Sequence, residues 1–478
     1  MPSKPSTRIA EPLLGGPDGI HLAAAGAGFR RGQAYVLAGL LGLTTFLALA
    51  LQGPCLSSGY EQPAASARMC AGPLSTAFLG HVNPEVDGRS HGGMAGLSVL
   101  EARLADLMRL MTDDVSVFMV AVLLLNVLGI AALGAGLLVL ARSRAWLVGI
   151  FASPLILFTL GSTLDPVALA LAVWAMALFA GSPPLRPRPW LSGLLLAVAA
   201  FINPLALLVL LALTLSGPHP AGRLAPRSPR MMLAAATITS AILLVLNGDA
   251  IDRVIHWLSD AVDGGSFAAI LLMAQLGDAE VWAPVWIIGS LGVVAAVAIS
   301  LFMVRRSGLD PAVSACLLIG GCLLLAPGLM PWDSLWLLPF LVLAVHRWWV
   351  LIVWACAETV FAIGIQLGDI IGFDTDKGLE PAFVALFTLL RLLALVLVVI
   401  FAGENLYRRR IRGCLRPVGP PRRRDGETHP DVAFPGDRLS PDEPPRRGSA
   451  ATVAGDPDET GAHDADAVRG GQGHGNRT

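Results

Sequence analysis

The sequence predicts an all-α, polytopic membrane helical bundle of about ten spans plus one broken hairpin, counting roughly 20 apolar residues per span. Three observations carry this. Of the 478 residues, 54% are hydrophobic and 14% charged, against about 25% charged in soluble domains. Apolar runs of spanning length recur along the chain. The loops between them alternate in charge, arginines in one set and carboxylates in the other, and the positive-inside rule assigns the arginine-bearing set to the cytoplasm. This implies a multi-pass protein of the plasma membrane with both termini cytoplasmic. The formal net charge of -1 is uninformative because the charges are segregated.

The leader, 1–33, carries Lys4, Arg8, Arg30 and Arg31. The first span, 34–52, has no small-residue cleavage site after it and reads as retained. A long loop, 53–114, follows. Spans at 115–141, 145–161 and 166–181 come next, the last two separated by a turn at Thr163, Leu164 and Asp165. The run 190–216 is interrupted at Asn203–Pro204, where proline removes a backbone donor and restricts the residue before it. Basic loops flank this run on both sides, so it reads as two half-spans that enter and leave on the same side. Further spans fall at 231–247, 281–304, 312–326, 332–345, 348–367 and 382–403, closing a transmembrane domain over 34–412. Residues 413–478 are rich in Pro, Gly, Asp and Arg; such composition buries too little apolar surface to offset ordering entropy, which predicts a disordered cytoplasmic tail.

Most connections are about 4–6 residues, so the 53–114 loop is a structure in its own right. It holds Cys55 and Cys70, which pair in an oxidising compartment or stand as two free thiols; spacing alone does not choose. Cys316, Cys322 and Cys356 lie in apolar runs and read as inert core residues. Within 94–112, Leu97, Leu100, Leu104, Leu107, Met108 and Met111 form a helical stripe, with Glu101, Arg103, Asp106 and Arg109 opposite. This fits a helix in the interface plane with its apolar face toward lipid, or one packed on the bundle.

Carboxylates on that face are Glu61, Glu85, Asp87, Asp113, Asp114 and Asp165. Asp165 precedes Pro166 and reads as a helix N-cap, a role compatible with lining a pocket. Pro331–Trp332–Asp333 opens another helix on the same face. Glu358 lies inside a span, where a carboxylate is a functional hypothesis by default; Arg391, inside another span, is a candidate partner. No glycine-rich phosphate loop, metal-ligand cluster or nucleic-acid module occurs, so no metal, cofactor or nucleic-acid partner is expected.

The run from Glu11 to Pro17, Gly53-Pro54-Cys55 with Cys70 and Pro73-Leu74, Ala152-Ser153-Pro154, Leu164-Asp165 leading into Ala168-Leu169-Ala170, and Gly193-Leu194-Leu195 through Pro204 form an ordered series. With Pro331, Leu335-Trp336-Leu337-Leu338-Pro339 and Ala357-Glu358, it resembles the actinobacterial integral-membrane GT-C glycosyltransferases, in particular the polyprenyl-phosphate-mannose-dependent mannosyltransferase-like group. The resemblance implies hexosyl transfer from a polyprenyl-phosphate donor to a lipid or cell-envelope glycan acceptor on the outer face. A carboxylate there takes the acceptor hydroxyl's proton, and a cation or dipole stabilises the departing phosphate.

The chain departs from the family pattern at polar positions. Ala71, Gly72 and Pro73 follow Cys70 where the family places an acidic residue. Phe201-Ile202-Asn203 stands where it places a basic one, and Trp332-Asp333 replaces its polar pair. Its Glu-Tyr-Pro-like loop segment is missing. The site candidates are therefore Glu85, Asp87 and Asp165 as catalytic carboxylates, with Glu61 a further loop alternative, and Asn203, Trp332 and Asp333 as substrate-binding residues. A noncatalytic GT-C-like membrane scaffold is the alternative, and a transporter a third.

Overall fold

The computed structural model describes residues 31–82, 98–141, 148–149, 153–181, 185–216, 228–248, 251, 265, 267, 270–271, 279–304, 309–325, 330–345, 347–371 and 378–414. These residues are helical, with no strand among them. The leader up to Arg30, the loop segment containing Glu85 and Asp87, and the predicted tail from residue 415 lie outside the described residues. In chain order the helices are α1 (Arg31–Ser57), α2 (Ala64–Ala67), α3 (Pro73–Val82), α4 (Val99–Arg109), α5 (Val115–Ala141), α6 (Ser153–Thr159), α7 (Asp165–Ala180), α8 (Pro189–Ile202), α9 (Ala206–Leu215) and α10 (Ser228–Leu246). There follow α11 (Ala279–Val304), α12 (Pro311–Leu325), a 3-10 turn (Pro331–Trp336), α13 (Leu338–Ala344), α14 (Trp348–Ile370) and α15 (Pro381–Cys414).

Six described segments are long and apolar enough to cross a membrane: Ala34–Ser57, Val115–Leu140, Ser228–Leu246, Ile287–Val304, Trp349–Ile370 and Pro381–Glu404. The chain is a membrane-embedded helical protein. Several of the helices fall short of the roughly 20 residues that a full span needs: α7 has 16 residues and α12 has 15, as their apolar runs predict, and α6 and α13 have 7 each. The physical reason is where they end. A helix that terminates against protein, with its backbone groups satisfied there, need not match the hydrocarbon thickness.

The turn before α7 shows this. Ser116 Oγ donates to the Leu56 carbonyl at 2.9 Å, so the start of α5 is level with the end of α1. The turn at 160–163 meets α5 much deeper. Asn126 Nδ2 donates to the carbonyls of Leu160 and Thr163, both at 2.7 Å, about 15 Å along α5 from Ser116 at 1.5 Å per residue. Two orphan carbonyls are thereby paired inside the bundle. The loop helices α2, α3 and α4 fold over the recess; α3 and α4 rest on each other, and α2 rests on α14.

The broken run resolves into α8 and α9. At one end of α8 the Arg188 amide donates to the Leu178 carbonyl at 3.0 Å; at the other, Asn203 Nδ2 donates to Asp165 at 2.7 Å. Helix α8 therefore runs antiparallel to α7 along its whole length. Near its start, Gly193 packs against the Met232 carbonyl of α10, leaving no room for a Cβ, while the far end of α10 reaches α4 through Asn247. Helices α8 and α10 thus run in the same direction, and the chain returns between them through α9. The break has a local cause. Asn203 is extended (φ -144°, ψ 122°), as a residue before proline prefers, and its Oδ1 accepts the Leu205 amide at 2.9 Å.

One apolar core runs from α1 through α15. Helices α10 and α11 keep most of their side chains outward, as do the exposed faces of α1, α5 and α15. Such all-round apolar surfaces suit a hydrocarbon solvent.

Candidate functional site

The cluster centres on Asp165, at the sunken start of α7. Its carboxylate is buried and accepts three side-chain donors: Asn203 Nδ2 at 2.7 Å and Trp336 Nε1 at 3.0 Å on Oδ1, and Thr163 Oγ1 at 2.8 Å on Oδ2. The N-cap reading is corrected here. No side-chain capping bond starts α7, because donors from two other segments take the carboxylate.

Asn203 is the hinge of the cluster. Its Nδ2 also donates to Asp333 Oδ1 at 3.1 Å, so a single amide bridges two carboxylates 168 residues apart, at positions 165 and 333. The other Asp333 oxygen accepts the Met330 amide at 2.9 Å, closing the first turn of the 3-10 segment. Three predicted site residues, Asp165, Asn203 and Asp333, are therefore brought together. Trp332 is half-buried, and the indole that reaches Asp165 belongs to Trp336 instead.

The loop supplies a third carboxylate that the pattern of α4 had assigned to a polar, outward face. Glu101 is only 4% exposed. One oxygen accepts the Leu164 amide at 2.7 Å, and the other accepts the Ser98 amide at 3.1 Å in a reciprocal capping box. Burial, followed by the negative charge of Asp165, pushes its pKa up to about 7, against the opposing pull of those two amides. Further tethers of α4 include Arg103 Nε to Asn247 Oδ1 at 2.9 Å and Arg109 Nη2 to the Ala77 carbonyl at 3.0 Å.

Behind Asp333 lies an ion pair. Arg391 of α15 and Glu358 of α14 are both fully buried, with Nε 3.1 Å from Oε2. Ser334, next to Asp333, donates to Glu358 at 2.7 Å and accepts from Arg391 Nη2 at 3.1 Å. Arg391 Nη1 reaches the Gly265 carbonyl at 2.7 Å, and the guanidinium lies 4.5 Å over the Phe361 ring. A buried charge of this kind is tolerated because its donors and acceptors are paired. Polar contacts therefore join Thr163, Asp165, Asn203 and Asp333, and the next residue in the chain, Ser334, belongs to the Glu358–Arg391 cluster.

The loop anchors to the same turn. Cys55 and Cys70 form a disulfide. Gly72 packs against Ser162, and Gln366 of α14 donates to the Ala71 carbonyl at 2.9 Å. Burial raises the pKa of Tyr60, whose hydroxyl donates to Gln52 at 3.0 Å. Glu61, Asp113 and Asp114 are exposed, and Asp114 accepts the Ser116 amide at 2.8 Å as a cap of α5. Glu85 and Asp87 fall outside the described residues. No group of three or more metal-ligating side chains occurs among the described residues.

No protein-family model matches the chain, and no curated protein matches it.

Proposed function

We propose that this chain is a membrane-embedded hexosyltransferase, moving a sugar such as mannose from a polyprenyl-phosphate donor to a hydroxyl of a lipid or envelope-glycan acceptor. The observation that carries the reading is the convergence of Glu101, Asp165, Asn203 and Asp333 from four distant segments on one buried site. In the reaction the acceptor oxygen attacks the anomeric carbon, and the bond from that carbon to the phosphate oxygen breaks. The polyprenyl phosphate departs with the electron pair, and the hydroxyl proton passes to a carboxylate. Glu101 suits that last role: a general base is most effective with a pKa near the working pH, and its own lies at about 7. The work is done on the face where α7 begins, which the charge pattern assigns to the outside.

The test uses the full-length protein in proteoliposomes with radiolabelled polyprenyl-phosphate mannose and a bacterial membrane-lipid extract as acceptor. Wild type forms labelled glycolipid, and Glu101→Gln slows this about 100-fold or more, the usual worth of a positioned base, while eluting as a monodisperse species. Undiminished transfer by Glu101→Gln removes the base assignment. Undiminished transfer by Asp165→Asn and Asp333→Asn as well removes the site.

A second reading, a noncatalytic membrane scaffold for a neighbouring envelope enzyme, is favoured by one observation. Every carboxylate oxygen of Glu101, Asp165 and Asp333 already receives a donor from within the chain. Absence of transfer with a panel of polyprenyl-phosphate sugars, together with stable co-purification of one envelope enzyme, selects it.

A further inference from the structure

The arginines of the described bundle fall into two groups. Arg68, Arg103, Arg109, Arg347 and Arg391 each donate to an acceptor within the chain. Arg186, Arg188 and Arg230 do not. All three are exposed, and their side chains make no hydrogen bond or ion pair among the described residues. Three positive charges are thus left without a counter-charge, and they stand at one end of the molecule.

Their level follows from the packing of α8 on α10. Gly193 lies against the Met232 carbonyl and the Ala236 amide, and the two helices run in the same direction. Arg188, just before α8, and Arg230, in the first turn of α10, therefore stand within about one turn of the same height. Arg186 belongs to the same connection, which folds onto the end of α7 through the Arg188 amide and the Gly181–Pro187 contact. That height is a membrane boundary. Helix α10 has 19 residues, about 28 Å at 1.5 Å each, against a hydrocarbon core of about 30 Å. With no length to spare, its first turn stands at headgroup level. Arg230 also heads the helix's outer face: positions 230, 234, 238, 241 and 245, spaced three or four apart, are all exposed. Trp190, exposed at the same height on α8, is the residue type that gathers at membrane interfaces.

We propose that Arg186, Arg188 and Arg230 form a rim that binds the headgroups of anionic phospholipids in the adjoining leaflet. Lipid is the occupant because the face below Arg230 is the outside of a spanning-length helix, covered by acyl chains, so the nearest group beyond those chains is a headgroup phosphate. Guanidinium and phosphate make strong charge-assisted hydrogen bonds. The preference is for anionic over zwitterionic lipid because the three charges have no internal partner; each basic residue beside a span is worth about fivefold in such a preference. The rim lies about 20 Å along α8 from Asn203, apart from the buried carboxylates, and the inference does not depend on sugar transfer.

The experiment footprints the full-length wild-type protein with phenylglyoxal, which modifies free guanidinium groups, in nanodiscs of phosphatidylcholine alone or with phosphatidylglycerol. Mass spectrometry reads the rate at each arginine. Arg186, Arg188 and Arg230 react in phosphatidylcholine and are protected several-fold by phosphatidylglycerol, and the protection is lost at high salt. Arg347, already paired with Glu404, serves as the control and changes little. Equal protection of Arg347 overturns the proposal, because the effect then belongs to the charged surface in general. Arginines unreactive in phosphatidylcholine also overturn it, since protein then covers the rim. Protection by inorganic phosphate in phosphatidylcholine equal to that by phosphatidylglycerol removes the lipid. A second measurement counts phosphatidylglycerol retained by the detergent-purified protein in native mass spectrometry. The triple variant Arg186→Gln, Arg188→Gln, Arg230→Gln binds it at least tenfold more weakly, and Arg347→Gln binds as wild type does. Wild-type retention by the triple variant overturns the proposal.

Discussion

Arg391 and Glu358, 33 residues apart on neighbouring helices, meet in a fully buried pair with 3.1 Å between Nε and Oε2. Removing one partner strands the other charge in a low-dielectric interior, at a cost of about 3–5 kcal/mol. Arg391→Leu and Glu358→Leu should each lower the free energy of unfolding in mixed micelles by that amount. The double variant should recover much of the loss, because two apolar groups leave no charge behind. Additive losses would show that the two residues act independently.

Asn203 separates Asp165 from Asp333 with a single amide group. Asn203→Leu keeps the volume and removes the donor, leaving buried acceptors unpaired at roughly 1–3 kcal/mol each. Asn203→Asp adds a third acidic group to the same space and should cost more. The ranking wild type, Leu, then Asp is checked by thermal unfolding in a single detergent. Asp equal to wild type would contradict the bridging role.

Docking of α4 should depend on pH through Glu101. Its pKa in the docked helix is about 7, above the usual carboxylate value near 4.5, so the docked state prefers the protonated form. The associated stability is complete below the ordinary value and fades as pH rises through about 7, by an amount on the order of 3 kcal/mol. The charged group facing Glu101 is Asp165, which adds to the effect. Backbone amides of α4 should exchange faster at pH 8 than at pH 5 once intrinsic rates are divided out. Glu101→Gln should flatten the profile; an unchanged profile would place the titrating group elsewhere.

The Cys55–Cys70 bridge closes a separation of 15 residues, for which chain entropy gives about 3 kcal/mol. Cys55→Ser, Cys70→Ser and the double variant should lose similar stability, since each removes the same cross-link. A double variant much worse than either single one would point to a separate packing role for the sulfurs.

Gly193 lies against the Met232 backbone, where an added Cβ would collide. Backbone cannot retreat as a side-chain tip can, and overpacking typically costs about 1–3 kcal/mol. Gly193→Val should cost at least that and loosen α10 from α8, visible as faster proteolysis between positions 217 and 227. Wild-type protease resistance would show that the contact relaxes cheaply.

Much of the fold is legible in the sequence because hydropathy and the Asn203–Pro204 break are local signals. Asp165, Asn203 and Asp333 can each be picked out by their position at the ends of apolar runs. Their convergence cannot, because it depends on how deep the short helices end. Glu101 is hidden for a different reason: the period of α4 puts it among charged neighbours, and only the Ser98–Glu101 spacing of a capping box marks it. That spacing announces a helix start without saying which way it faces. Trp336 could have been found. In a 3-10 turn, residues three apart eclipse, so the indole aligned with Asp333 is at 336, whereas its immediate neighbour Trp332 points along a different radius. The Arg391–Glu358 pair was readable as two anomalies, and only tertiary packing makes them one.

The disulfide also bears on how the protein is made. A bond between the end of the first spanning helix and the loop behind it forms only where thiols are oxidised. Such helices are threaded through the bilayer one after another, so on the outward placement of this loop proposed above the cross-link waits for residue 70 to emerge on the oxidising side. Production in a host that keeps that compartment reducing should yield chains that insert normally yet carry an unfastened canopy over their polar centre.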